Sequence, residues 1–481
     1  MADQSALPNI LTIMSDDQGA WAMGCAGNPE IRTPNLDRLA GQGVRFANFF
    51  CTSPVCSPAR ASFLTGMIPS QHGIHDWLRS GNIQVDDGVT HLGRDRPIEY
   101  LKGLTGFTDV LAANGYTCGF SGKWHLGDSG RPQKGHSYWY THSLGGASYV
   151  DYHVFEDSPE LVHKTQYVTD YFTDRAIDFL DRNGNAQRPF CLSLHYTAPH
   201  SPWTRDNHPA ELFDSYADCP FESIPNEPPH PWNGWAPSAQ QRQQTLQGYF
   251  AAVTAMDAAI GRAVRRLEEL NLRENTLIVF LSDNGMNMGH HGICGKGNGT
   301  YPLNMYDTSV KVPLIVSCPG RIAQGVVEEG LYSQYDFMPT LLDYLHLDNP
   351  GASNLPGRSF AHVLTGGGHD GRDEVVIFDE YGPVRMIRDH EWKYVRRYPD
   401  GPDELYQLSK DPDERTNLID QPRHRHVVDD MRQRLEKWFA RYVDPSRDGV
   451  AQPVRGKGQT GKVDASSAGP PAFAQEPGAI L

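Results

Sequence analysis

The sequence predicts an α/β fold with a smaller α+β subdomain near its C-terminal end, on three observations. Short apolar runs rich in β-formers alternate with amphipathic helical stretches; the texture changes to closely spaced strands beyond about Gly371; and 481 residues can bury a large core with a smaller companion. In chain order, NILTIM (9–14), PFCLSLHY (189–196), TLIVFLSD (276–283) and VPLIVSC (312–318) read as buried strands. Amphipathic helices are expected from Tyr167 to Asn183 and from Gln244 to Leu270. Between them, 202–237 is rich in Pro, Trp and Asn and reads as an irregular excursion over the main sheet. VVIFDE, VRMIRDHEWKYVRRY and ELYQLSKD read as short antiparallel strands, followed by a helix over His426 to Val443. The expected division is a main domain over 1–370, an α+β subdomain over 371–443 and an irregular tail over 444–481, either an arm wrapping over the body or a loose end. No internal repeat is visible.

Composition excludes several function classes. Lys plus Arg is 43 against 58 Asp plus Glu, a net charge of −15 spread along the chain, which disfavours nucleic acid as a partner. It leaves an anionic substrate open, because local cations or a metal set the field in a pocket. No apolar run is long enough to span a bilayer. The N-terminus lacks the basic and apolar regions of a secretory signal, so a cytoplasmic location is expected, or export if a signal was trimmed. The eight cysteines are scattered and form no CxxC pair, against a disulfide scaffold or zinc site.

Open α/β sheets bind ligands at the C-terminal ends of their strands, and the chemistry-bearing residues gather there. NILTIM runs into Asp16 and Asp17, and TLIVFLSD delivers Asp283 and Asn284. An Asp pair also serves a turn or helix cap, and Asn-Gly a turn. If the two strands are neighbours, three carboxylates and an amide offer a hard cation, Ca²⁺ or Mg²⁺, the oxygen ligands it prefers. SPVCSPARASFLTG (53–66) sets Cys56, Pro58 and Arg60 in CxPxR spacing at the start of a helix. Cys51, with Pro at the wrong offset, reads as a core thiol. GYTCGFSGKWHLG (115–127) places Lys123 and His125 two apart on an extended segment, facing one side. APHSP supplies His200, and CGKGNGTYPLNMYD supplies Lys296 in a Gly-rich loop.

These elements, taken in chain order, resemble the type I, formylglycine-dependent sulfatases of the alkaline phosphatase superfamily, from Asn9 to roughly Asp343. The resemblance implies a large mixed, mostly parallel sheet sandwiched by helices. It implies oxidation of Cys56 to Cα-formylglycine by a separate maturation enzyme, and a divalent cation, expected to be Ca²⁺ with Mg²⁺ as the alternative, held by Asp16, Asp17, Asp283, Asn284 and the modified Cys56. Arg60 and the cation would acidify the nucleophile, Lys123 and Lys296 would neutralise the sulfate, His200 with Lys296 would protonate the leaving oxygen, and His125 would deprotonate the second hydroxyl of the hydrated aldehyde. GNGTYPLN departs from the acidic, glycine-rich stretch usual after the lysine, which bears on substrate contacts there. SQHGIHDWLRSGN (70–82) brings His75, Asp76, Trp77 and Arg79 close behind the nucleophile. Of these, His75 and Trp77 are the expected substrate contacts, an aromatic beside hydrogen-bonding groups suiting a sugar, although Trp77 serves equally as packing beneath the loop. The expected substrate is a carbohydrate sulfate, with an aryl sulfate as the second choice. A phosphodiesterase or phosphonate monoester hydrolase of the same superfamily, or a catalytically silent metal-binding homologue, are the rival readings. Oligomeric state is open, a homo-oligomer included.

Overall fold

A computed structural model describes residues 7–83, 97–233, 236–367, 377–463 and 472–473. The expected boundary at 370/371, Val375 and Val376 of the first C-terminal strand, two residues of the excursion and most of the tail beyond 463 lie outside these.

Sixteen strands are present among the described residues. The first eight are β1 (Asn9–Ser15), β2 (Val44–Phe50), β3 (Thr117–Lys123), β4 (His136–His142), β5 (Tyr152–Glu156), β6 (Leu161–Lys164), β7 (Phe190–His195) and β8 (Thr276–Ser282). Two short strands, β9 (Asn287–Met288) and β10 (Cys294–Gly295), pair with each other; β11 (Lys311–Ser317) and β12 (Val326–Ser333) return to the main sheet. That sheet has ten strands in the order β12-β2-β11-β8-β1-β7-β3-β4-β5-β6. From β8 through β4 neighbouring strands are parallel, whereas β11 runs antiparallel to both of its neighbours and β5 and β6 form an antiparallel edge. The mixed, mostly parallel sheet is therefore as expected.

β1 is buried along its whole length, which is why it reads as an unbroken apolar run and not as an alternating one. Its side chains feed two cores. Ile10 and Met14 join one that includes Phe63, Phe107 and Phe337, while Leu11 and Ile13 join one that includes Phe172, Phe179, Met256 and Ile260. Helices Cys56–Thr65, Phe107–Ala113 and Phe337–Tyr344 cover the first face, and Pro34–Gly41, Val168–Asn183 and Ala239–Glu269 cover the second. The last of these starts five residues before the expected Gln244, because Ser238 accepts from the Gln241 amide and Gln241 answers the Ser238 amide in a capping box. No described helix is long and apolar enough to cross a membrane.

Residues 377–407 form a separate antiparallel sheet of β13 (Ile377–Tyr381), β14 (Val384–Arg388), β15 (Trp392–Arg397) and β16 (Glu404–Gln407). Helix Arg425–Tyr442 lays Val428, Met431, Leu435 and Phe439 on it, each such burial contributing about 1.5–3 kcal/mol. Ion pairs tie this sheet to the main body: Arg388 and Lys393 both reach Asp307, at 2.5 and 2.9 Å. The chain then runs back along the body as an arm. Gln459 pairs with Leu78 in a parallel bridge, so the described part of the tail is ordered structure against the loop behind the nucleophile.

Candidate active site

The parallel register decides what meets at the sheet's C-terminal edge. Ser15 lies opposite Ser282, so Asp16 and Asp283 leave adjacent strands side by side. Met14 lies opposite His195 and Gly122 opposite His195, so the loop carrying His200 and the end of β3 at Lys123 complete a row of four contiguous strands. The turn after β1 is held by Tyr249, whose hydroxyl donates to the Asp17 carbonyl and accepts from the Gly19 amide, and by Gln18 N–H donating to Ser282 Oγ. Asp17 itself has φ +64°, a strained value for a non-glycine residue that this network maintains.

Cys56 opens a ten-residue helix, and Arg60, one turn on, shares its face. Arg60 Nε donates to Asp283 Oδ2 at 2.9 Å and Nη1 to the Lys123 carbonyl at 2.8 Å. Lys123 Nζ lies 2.5 Å from Asp16 Oδ2. Lys296 bonds Asp17 Oδ1 and lies 3.1 Å from Cys56 Sγ, and Asn284 Nδ2 donates to Asp17 Oδ1 at 2.8 Å. All of these side chains are buried.

Asp16, Asp17 and Cys56 offer ligand atoms within 4.8 Å of one another. Two oxygens among these groups, Asp16 Oδ1 and Asn284 Oδ1, are buried without a hydrogen-bond partner. Burial, opposed by Lys123 and reinforced by Asp283 and Asp17, pushes Asp16 up to about 8. For Asp17 burial acts the same way, but Lys296, His200 and Lys123 outweigh it and hold the carboxyl below its usual range. Unsatisfied hard oxygens and a carboxylate short of positive charge fit a divalent cation, so Asp16, Asp17, Asp283, Asn284 and a modified Cys56 form a coherent donor set.

Two histidines, His125 and His200, lie near this group. His125 does not continue the extended segment as expected: β3 ends at Lys123, and His125 has φ +53°. Its Nε2 lies 3.0 Å from the Leu78 carbonyl. A carbonyl only accepts, so Nε2 carries the proton, and Nδ1, buried and unpartnered, keeps a lone pair. Burial and then Lys123 hold the ring well below the ordinary histidine value, in the neutral state a base requires. His200 donates from Nδ1 to the Ser201 carbonyl at 2.8 Å, leaving Nε2 3.7 Å from Asp17 Oδ2.

Of the remaining expected residues, Trp77 is half-buried, its indole N–H donating to the Gly456 carbonyl at 3.2 Å. His75 lies under the C-terminal arm, against Gly449, and not among the groups around Cys56. Sequence reasoning missed the Gly145-Gly146 pair, where a Cβ would come within 2.2 Å of the His125 ring and 3.1 Å of the His200 ring. It also missed Gln334, whose amide donates to the carbonyls of Ser282 and Asp283. Two glycines read from sequence only as a turn, and an isolated glutamine carries no signal.

Comparison with known proteins bears on this geometry. The model of the sulfatase family matches residues 8–347, and that of the N-sulphoglucosamine sulphohydrolase C-terminal region matches 301–441. An N-acetylglucosamine-6-O-sulfatase of Bacteroides thetaiotaomicron is 28% identical over 528 residues, covering 93% of this chain and 88% of the relative. Human arylsulfatase A is 28% identical over 458 residues, covering 86% and 83%. A solved structure in complex with its substrate D-glucosamine-2-N,6-O-disulfate superimposes with a TM-score of 0.76 at 26% identity, over 92% of this chain and 99% of that one.

Proposed function

The chain belongs to the sulfatase family, and from that footing we propose that it hydrolyses a carbohydrate sulfate with a nucleophile made from Cys56 by a formylglycine-generating enzyme. The observation that carries the reading is the position of Cys56 Sγ, 3.1 Å from Lys296 and within 4.8 Å of a carboxylate oxygen of Asp16 and of Asp17. Members of the family generally use a formylglycine and a divalent metal; the hard oxygen donors here favour Ca²⁺. Such a cation, with hydrated formylglycine beside it, supplies charge neutralisation for the sulfate oxygens and an acidified hydroxyl nucleophile.

The chain's own residues supply the rest. Lys123 Nζ on Asp16 and Lys296 Nζ beside Cys56 Sγ are the cations placed to neutralise the sulfate oxygens. Arg60, fixed to Asp283 and the Lys123 carbonyl, orients the start of the nucleophile helix and keeps the Asp283 carboxylate ionised. His125 Nδ1 is the atom placed to take the proton of the second hydroxyl, its tautomer set by Leu78. His200 Nε2 faces the departing oxygen. Burial holds His200 down at about 4, and an entering anionic ester opposes that shift, so substrate itself would favour the protonated acid.

A carbohydrate substrate is supported by the half-buried Trp77 at the site and by the saccharide substrates in the names of two relatives, while human arylsulfatase A keeps an aryl sulfate in view. Protein matured with a formylglycine-generating enzyme should release sulfate faster from sulfated amino sugars than from an aryl sulfate, and only slowly from matched phosphodiester and phosphonate esters. A faster phosphodiester rate would overturn the proposal.

A further inference from the structure

The C-terminal arm runs along the wall of the site. Gln459 N–H donates to the Trp77 carbonyl at 2.8 Å and Arg79 N–H to the Gln459 carbonyl at 2.9 Å, so 77–79 and 459 form a short parallel ladder. Asp76 Oδ2 accepts from the Gly458 amide at 2.9 Å. Asn298, two residues past Lys296, reaches the Gly456 carbonyl at 3.4 Å, and the Leu78 carbonyl is the partner of His125. The arm thus borders the pocket between its base and its last lysine.

Side chains alternate along such a ladder. Leu78 and Gln459 face inward and are buried, which turns Trp77 and Arg79 to the opposite side. There they close over Gly458, whose φ is +99° and where a Cβ would lie 2.8 Å from Arg79 Cβ and 3.0 Å from the Trp77 ring. Arg79, half-buried, has no carboxylate or hydrogen-bond partner for its guanidinium among the described residues, and neither do Arg455 and Lys457, which flank Gly456 and Gly458 in the sequence of the arm. Elsewhere in this acidic chain, arginines such as Arg205, Arg262, Arg266 and Arg388 are paired with carboxylates. A guanidinium without a partner among the described residues, packed with a half-buried indole over Gly458 at the border of an anion-processing pocket, constitutes a place for a further negative charge.

We propose that Arg79 binds a second anionic group of the substrate, a sulfate or carboxylate on the same or the adjoining sugar, with Trp77 as the platform for the ring. The inference rests on the sulfatase reading and narrows it to multiply anionic saccharides.

The test compares kcat/KM of the matured full-length enzyme on singly sulfated glucosamine, disulfated glucosamine and a sulfated glucosamine joined to a uronate. Wild-type enzyme should prefer the doubly anionic substrates, and added sodium chloride should shrink that preference. In Arg79→Ala the ratio of doubly to singly anionic kcat/KM should fall about tenfold to a hundredfold, mainly through KM, the worth of a charge-assisted hydrogen bond; Arg79→Lys should keep part of it. Whether the sulfate or the uronate loses more tells which anion the subsite takes. An unchanged ratio in Arg79→Ala, or equal losses on all three substrates, overturns the proposal. Calorimetric titration of Cys56→Ala protein with the singly and doubly sulfated sugars separates the two readings. An enzyme that turns over none of these esters, nor an aryl sulfate, fails as a sulfatase, while the affinity difference between the sugars, present in Cys56→Ala and lost when Arg79→Ala is added, still decides the subsite.

Discussion

Replacing Gly145 with alanine probes the role of His125 without touching a charged group. The added Cβ would lie 2.2 Å from His125 Cε1 and 2.3 Å from Nε2, where an ordinary contact needs about 3.5 Å. The φ of Gly145 is outside the left-handed range, so the backbone accepts alanine and the ring must yield by about 1 Å, breaking its 3.0 Å bond to the Leu78 carbonyl. Overpacking of this kind costs about 1–3 kcal/mol, and a 1 Å misplacement of a catalytic group costs about a hundredfold in rate. If His125 serves the second half of the reaction, the loss falls there. A chromogenic aryl sulfate should give a first-turnover burst close to one product per active site, followed by a steady state about a hundredfold below wild type. Gly41→Ala, where nothing lies within 4 Å, is the control and should behave as wild type. A steady-state rate within about twofold of wild type, or a first turnover slowed as much as the later ones, would refute the assignment of His125.

Asp283→Ala should abolish activity and destabilise the fold by about 3–5 kcal/mol, seen as a lower melting temperature, because buried Arg60 loses its 2.9 Å partner; an unaltered melting temperature would contradict this. Chelation should remove activity, Ca²⁺ should restore it, and Ca²⁺ at about 100 times its Kd should add ~2.7 kcal/mol of stability. His136 and His142 are held at about 4 by burial, and neither makes a hydrogen bond to Asp16, Asp17 or Asp283. Their folded values lie below the unfolded 6.5, so the stability they contribute is present above pH 6.5 and is lost as pH falls toward 4, by about 1.4 kcal/mol per pH unit for each. Melting temperatures measured downward from neutral pH should drop through that window, and a flat profile would count against neutral buried rings. Cys56→Ser, made in a host that leaves serine unoxidised, should release at most about one equivalent of alcohol and retain sulfate on the introduced serine by intact mass; sustained turnover would show the second hydroxyl to be dispensable.

Much of the site was legible because its residues sit at strand ends and in fixed local spacings. Asp16-Asp17 and Asp283-Asn284 each follow an apolar run, and the Ser15 to Ser282 register then makes them neighbours, a fact of topology that no local pattern contains. The i to i+4 relation of Cys56 and Arg60 depends only on the helix they open. His125 was harder, since its position follows from a left-handed backbone and from a carbonyl 47 residues away. The early start of helix Ala239–Glu269 was readable in the Ser238 to Gln241 capping box, whereas the seam between Gln459 and Leu78 was not, because a glycine-rich segment without apolar periodicity gives no sign of what it will pair with. His75 shows the limit of proximity in sequence: it stands beside Asp76 and Trp77, yet its ring lies under the arm.

The central claim is that the nucleophile is made from Cys56, and its most direct test sets activity against modification. Batches of enzyme matured to different extents would be analysed by peptide mass spectrometry, in which conversion of Cys56 removes sulfur and two hydrogens and adds one oxygen. Sulfate release per enzyme should rise in proportion to the converted fraction along a line through the origin. Full activity in a batch whose Cys56 remains entirely a thiol would contradict it.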